Sequence, residues 1–112
     1  MAKTKGVVAA GHELTAKAAA EILEDGGNAF DAAVAAAAAL AVVEPHGSGL
    51  GGGGFFLLHR AADRFEVMID ARERAPLAAR PGMYLAADGT PRPRASLDGP
   101  LAAAIPGAAA GL

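Results

Sequence analysis

Between Glu44 and Phe56 the chain reads Glu-Pro-His-Gly-Ser-Gly-Leu-Gly-Gly-Gly-Gly-Phe-Phe, a glycine-packed polar loop joining an alanine-rich stretch to an apolar one. Glycine loses more conformational freedom on folding than any other residue. The consecutive glycines Gly51 to Gly54 therefore point to tight backbone packing or positive φ angles at this place. The loop also constrains what can flank it. Helix signals precede it, Pro45 ends them because the residue before proline avoids helical geometry, and Phe55-Phe56-Leu57-Leu58 follows as a continuous apolar run. Such a run is expected of a strand covered on both faces.

The elements on either side follow from local chemistry. Gly6 to Ala10 is short and partly β-branched and reads as a strand; His12 to Thr15 turns into a helix expected over Ala16 to Asp25. Ala19, Ile22 and Leu23 share one side of that helix, and Gly26-Gly27 supplies a left-handed stop. Asn28 is a preferred N-cap with Asp31 three residues on, a capping-box pair in which Asp replaces the usual Glu or Gln. The second helix runs to about Val43, is small-sided and apolar on most faces, and is expected to be buried. Arg64 to Ile69 alternates, with Phe65, Val67 and Ile69 on one face, and pairs with the Phe55 run as a hairpin through Ala61-Ala62-Asp63. Continued, that strand puts Asp70 and Arg72 on its more polar face. Beyond Pro76 the expectations are a short helix at Met83 to Ala87, a turn at Asp88-Gly89, a strand at Leu101 to Ile105 and a new element after Pro106-Gly107.

Composition limits the function classes. The 112 residues suffice for one small domain or part of a larger one, and alanine supplies much of the 53% hydrophobic fraction. Alanine buries little area, so a free-standing core is thin, and the segment is expected to complete its core against more protein. A net charge of −2 gives no steering toward nucleic acid or an anionic membrane. There is no cysteine, hence no disulfide or thiol chemistry. Met1 to Gly6 carries two lysines and no apolar stretch of signal-peptide length, and Ala29 to Val43 is too short and carries Asp31. The expectation is a cytoplasmic chain, with a periplasmic or secreted one as the alternative.

Few residues stand out as chemistry. The loop matches G-x-G-x-x-G at Gly47-Gly49-Gly52 and Gly49-Gly51-Gly54, but a dinucleotide site needs strand, loop, helix, and the order here is helix, loop, strand. No Lys-Ser/Thr follows, which removes a P-loop. His12, His46 and His59 have no i, i+4 partner and no cysteine nearby, so no metal site is expected. Ser48 fails the nucleophile-elbow pattern because position 46 is His. Glu44 reads as a buried anchor or a helix-end carboxylate. Arg72 stands between Asp70 and Glu73 at the end of an apolar strand, with the planar fork that suits a carboxylate. On composition alone it is a salt-bridged surface arginine.

The residues Gly6-Val7-Val8-Ala9, Glu21-Ile22-Leu23, Gly26 through Val34, Val43-Glu44-Pro45-His46, Ser48 through Phe55, Arg72-Glu73-Arg74-Ala75-Pro76 and Pro106-Gly107 with Ala110-Gly111-Leu112 together resemble the N-terminal part of the gamma-glutamyltransferase (gamma-glutamyl transpeptidase) family. Gly47 stands where that family commonly has serine, Ala104 where it often has glycine, and Ala108 where threonine is common. The resemblance implies an α+β chain of the N-terminal-nucleophile hydrolase class, a four-layer αββα sandwich. Residues 1–112 would be the N-terminal part of one such domain, incomplete at its C-terminus. It implies a precursor that cleaves itself, and a threonine nucleophile in a small subunit outside these residues, so no catalytic residue, cofactor or metal is assigned here. It implies gamma-glutamyl compounds such as glutathione as substrates and water or an amino acid or peptide as acceptor, and it gives Arg72 the role of binding the glutamyl α-carboxylate. The alternatives are an amidohydrolase or acylase of the same fold acting on another acyl group, and a non-catalytic truncated module. The enzyme-fragment reading expects these residues alone to be poorly soluble or partly unfolded; the module expects a monomer that melts cooperatively.

Overall fold

The computed structural model describes residues 5–112. The expectation of no leader peptide rests largely on Met1 to Thr4, which lie outside the described residues. The elements are α1 (Glu13–Glu24), α2 (Ala29–Val43), β1 (Gly54–Arg60), β2 (Phe65–Ala71) and a short α3 (Ala108–Gly111), with a 3₁₀ turn at Pro100–Ala102 before α3.

The two long helices are set by their ends. His12 caps α1, its Nδ1 accepting the Leu14 N–H at 3.1 Å, so the helix starts three residues earlier than its composition suggests. At the other end the Gly27 N–H donates to Ile22 O and the Gly26 N–H to Leu23 O, the paired bonds of a Schellman stop, with Gly26 at φ 95. The capping box of α2 is complete: Asn28 Oδ1 accepts from Phe30 and Asp31, and Asp31 Oδ2 accepts from the Asn28 N–H at 2.9 Å. The short connection folds α2 back on α1. Ala19, Leu23 and Ala32 form the buried centre between them, flanked by Val8, Ile22 and Ala36. Thr15 is also buried on this face, and among the described residues no protein atom bonds its hydroxyl. Glu44 is a helix-end carboxylate: it caps α2 and lies near Gly11, at the N-terminal end of α1, where negative charge suits the dipole.

β1 and β2 form the expected antiparallel hairpin, in register Gly54↔Ala71, Phe56↔Ile69 and Leu58↔Val67. Asp63 holds the turn. Its carboxylate accepts from the Arg60 guanidinium at 2.7 to 3.2 Å and from the Phe65 N–H. The Phe56, Leu58, Val67 and Ile69 face is half-buried and Ala71 is fully buried. α3 lies against this face at Ala71 and Phe56.

Five expectations are corrected. Gly6 to Ala10 is not a strand, since no neighbouring segment offers it a ladder; Val8 instead packs on the helix pair. α2 is not buried all round, because α1 covers one face only and Val42 stays 78% exposed. β1 is covered on one face, not two: Phe55 is 60% and Leu57 82% exposed. Met83 to Ala87 is not a helix but part of a small turn closed by Ala86–Thr90 and Arg92–Tyr84 backbone bonds, with Gly82 and Gly89 at positive φ. Of the strand expected at Leu101 to Ile105 only Ile105 pairs, with Arg74.

The radius of gyration is 18.8 Å and the extents are 67 × 31 × 16 Å. A compact chain of this length has a radius near about 13 Å. The helix pair and the hairpin are separate packed bodies, and the thin core expected from composition is what the described residues show.

Three expectations follow. Asn28→Ala removes the acceptor for two helix N–H groups and should lower the unfolding free energy by about 1 kcal/mol in chemical denaturation. Gly111→Ala places a methyl 2.6 Å from both Ala71 Cβ and Phe56 Cε2 and should shift the urea midpoint downward; overpacking of this kind costs about 1–3 kcal/mol. The Arg60 donors hold the Asp63 carboxyl below its ordinary range, so its stabilisation of the turn is complete above the unfolded value and is lost as pH falls through the folded one. An NMR titration of Asp63 should give a midpoint below that of an ordinary aspartate, and Arg60→Ala should bring it back toward the ordinary value.

Candidate functional site

The glycine loop, the end of β2 and the turn before α3 meet at Ala71-Arg72-Glu73. Gly53 packs directly on this backbone. A Cβ there would collide with the Ala71 carbonyl and come within 2.9 Å of the Glu73 nitrogen and 3.0 Å of the Arg72 carbonyl carbon. Gly107 does the same from the other segment, 2.8 Å from both the Ala71 carbonyl carbon and the Arg72 oxygen. The Gly52 carbonyl accepts from the Gly107 and Ala108 N–H groups, both at 3.0 Å, and ties the two glycine segments together. Arg74 and Ile105 exchange backbone bonds at 3.0 and 2.8 Å, closing the long 75–104 excursion beside the same point.

This explains part of the glycine run. Gly53 is required by close approach, and a Cβ on Gly52 would lie 3.4 Å from Glu73 Oε1, whereas Gly47, Gly51 and Gly54 face open space.

Arg72 follows the last residue of β2. Its N–H donates to Asp70 Oδ1 at 3.0 Å, a local bond that turns the chain out of the strand. Its side chain is 62% exposed, on the face expected: the guanidinium lies over the Phe55 ring at 6.0 Å, and Phe55 is opposite Asp70 in the register. Its one charged neighbour is Glu73, with Oε2 3.4 Å from Nε. No hydrogen bond engages the guanidinium among the described residues, so its fork is free to receive an anion. Arg72, Asp70, Arg74, Pro106 and Gly107 line an open cavity of 350 Å³. A second, of 410 Å³, lies over the glycine loop and is lined by His46, Ser48, Phe56 and Glu73 among others.

The remaining candidates resolve simply. His12 is a helix cap and His59 bonds its cross-strand partner Glu66 at 3.0 Å. His46 is exposed, and Ser48 shares its cavity without a hydrogen bond between them. The loop does run from helix to strand, so the phosphate-binding order is absent here. Among the described residues no group of three or more His, Cys, Asp or Glu could hold a metal ion, and no helix is long and apolar enough to cross a membrane. The role of Gly107 as a packing partner of Arg72 was not visible in the chain, because the two positions are distant in sequence.

A sequence model of the family described as gamma-glutamyltranspeptidase matches residues 15–112. The glutathione hydrolase proenzyme of Pseudomonas sp. (strain A14) is 45% identical over 107 residues, which cover 96% of this chain and 18% of that protein. The crystal structure of Helicobacter pylori gamma-glutamyltranspeptidase superposes with a TM-score of 0.88 at 46% identity, covering 99% of this chain and 32% of that one. The oxamate amidohydrolase proenzyme of Klebsiella pneumoniae is 54% identical over 55 residues, 49% of this chain and 10% of that protein. The chain thus spans less than a fifth of the length of the curated relatives it matches. The likeness in structure bears out the N-terminal-nucleophile hydrolase class, of which the helix pair and hairpin are a part. With the matching family model covering most of the described residues and the fold shared at high identity, this chain belongs to the gamma-glutamyltranspeptidase family, in its N-terminal portion.

Proposed function

We propose that these residues form the N-terminal segment of a gamma-glutamyltransferase or glutathione hydrolase. The enzyme would cleave gamma-glutamyl amides such as glutathione and pass the glutamyl group to water or to an amino acid or peptide. The observation that carries this reading is Arg72: a guanidinium with no hydrogen-bond partner among the described residues, on a backbone held by two glycines, at the rim of an open cavity. Its two outward N–H groups match the two oxygens of an α-carboxylate. The relatives named glutathione hydrolase support the substrate class.

The bond-breaking groups lie outside these residues. A threonine hydroxyl from the small subunit of the same precursor would attack the γ-carbonyl carbon, with its own α-amino group taking the proton. The amine leaves with that proton, and water or an acceptor amine then releases the glutamyl group from the ester. Arg72 breaks no bond in this scheme. It holds the donor so that the γ-carbonyl meets the nucleophile, an advantage of position. The exposed apolar groups Leu57, Met68 and Val42 are where the rest of such an enzyme would pack.

A second reading is an amidohydrolase of the same fold with a smaller acyl group. The oxamate amidohydrolase relative, more than half identical over its matched stretch, favours it. Oxamate also carries a carboxylate, so Arg72 would serve either substrate, and the donor preference separates the two.

The test is steady-state kinetics on the full-length protein carrying this segment, with a gamma-glutamyl anilide and with oxamate. Arg72→Ala should raise KM for the gamma-glutamyl donor by about 100-fold, the loss of a charge-assisted pair of about 3 kcal/mol. Arg72→Lys should fall between, since ammonium keeps the charge and loses the fork. An unmoved KM would remove Arg72 from substrate binding, and turnover of oxamate alone would favour the amidohydrolase.

A further inference from the structure

Arg72 has little side-chain support. Its ion contact to Glu73 is long, its ring contact with Phe55 is distant, and more than half of the side chain is exposed. The fold instead holds the backbone from which this side chain departs. Two devices do so. One is steric: Gly107 lies so close to the Ala71–Arg72 peptide that any Cβ would meet backbone atoms, which cannot move aside as a side-chain tip can. Gly107 has φ −115 and ψ −16, a conformation open to every residue. Its requirement is therefore spatial and not conformational. The other is a hydrogen bond, from the Arg72 N–H to Asp70 Oδ1 at 3.0 Å.

We infer that Gly107 and Asp70 are positioning residues for substrate: they set the direction of Arg72 and thereby the affinity for a donor bearing an α-carboxylate. This rests on the reading of Arg72 given above. Gly107 belongs to the Pro106-Gly107 turn, which the Arg74–Ile105 backbone pair and the Gly52 carbonyl hold in place. The turn thus acts as a stop against which the end of β2 rests. A methyl at Gly107 would push the Ala71–Arg72 peptide outward and re-aim the guanidinium. A re-aimed fork loses one or both of its paired hydrogen bonds to the carboxylate. Asp70 makes the weaker contribution, because its bond is exposed.

The experiment compares Gly107→Ala, Asp70→Ala, Asp70→Asn and Arg72→Ala in the full-length protein. The donors are a gamma-glutamyl anilide and its analogue lacking the α-carboxylate. KM for the first donor should rise about tenfold or more in Gly107→Ala. In Asp70→Ala it should rise about fivefold, as for one lost hydrogen bond. Asp70→Asn keeps the acceptor without the charge and should recover most of that loss. kcat should change less than KM, and kcat/KM for the analogue should fall far less than for the first donor. A structural defect would instead lower the active fraction and hit both donors alike. If Gly107→Ala does not fold, the Asp70 pair decides. Equal loss with both donors, or Asp70→Ala within about twofold of wild type while Arg72→Ala raises KM, overturns the inference and leaves the reading of Arg72 standing. If Arg72→Ala itself leaves KM unmoved, the reading of function falls and this inference with it.

Discussion

The approach of backbone to backbone at Ala71-Arg72-Glu73 organises this half of the chain. Three segments distant in sequence converge there, and side chains would prevent it: Gly53 and Gly107 both rest on the Ala71 carbonyl. The Gly52 oxygen accepts two N–H groups from the Pro106-Gly107 turn and its sequel. Ala71, the one fully buried apolar residue of the hairpin, sits at the centre, with Gly111 of α3 against its methyl. A contact made of peptide groups is stiffer than one made of side chains, because peptide groups have no rotamers to exchange. That stiffness fixes the point at which the exposed Arg72 side chain leaves the backbone.

The rest of the molecule is less tightly held. The helix pair buries a narrow strip of alanine and leucine around Thr15, and the hairpin covers only one face. Burial of alanine removes little apolar area from water, so each of these contacts is weak by itself. The caps do much of the local work. His12, the Asn28–Asp31 box and the Gly26-Gly27 stop satisfy helix ends that packing leaves open. The polar residues that stood out in the chain mostly turn out to be such caps and turn locks. His12, Asn28, Asp31, Asp63 and Asp88 each bond backbone N–H groups within three residues. Arg72 differs from them, because its side chain has no local hydrogen-bond partner.

Legibility in the sequence followed the range of the interaction. Asn28 with Asp31, and Gly26 with Gly27, were legible because both partners of each bond lie within one helical turn. The hairpin was legible because Arg64 to Ile69 alternates and Asp63 marks the turn. Gly6 to Ala10 and Leu101 to Ile105 misled because strand propensity describes a surface that fits a sheet and cannot say whether a neighbour exists. The Phe55 to Leu58 run misled in the same way: its composition suits burial on both faces, and only one neighbour arrives. Met83 to Ala87 lost to the turn chemistry of Gly82 and Asp88-Gly89.

By itself, the sequence determined the Gly26-Gly27 stop and the Asn28–Asp31 cap, the hairpin, the lack of a thiol in these residues, and through its ordered motifs the family. These depend on bonds between near neighbours, on side-chain alternation, or on residue identity alone. Tertiary structure decided which glycines of the loop matter, that Pro106-Gly107 bears on the end of β2, and that the Arg72 fork is left open. Those facts depend on distances between segments eighteen or more residues apart, set by how closely backbones approach, and no local pattern of residues encodes them.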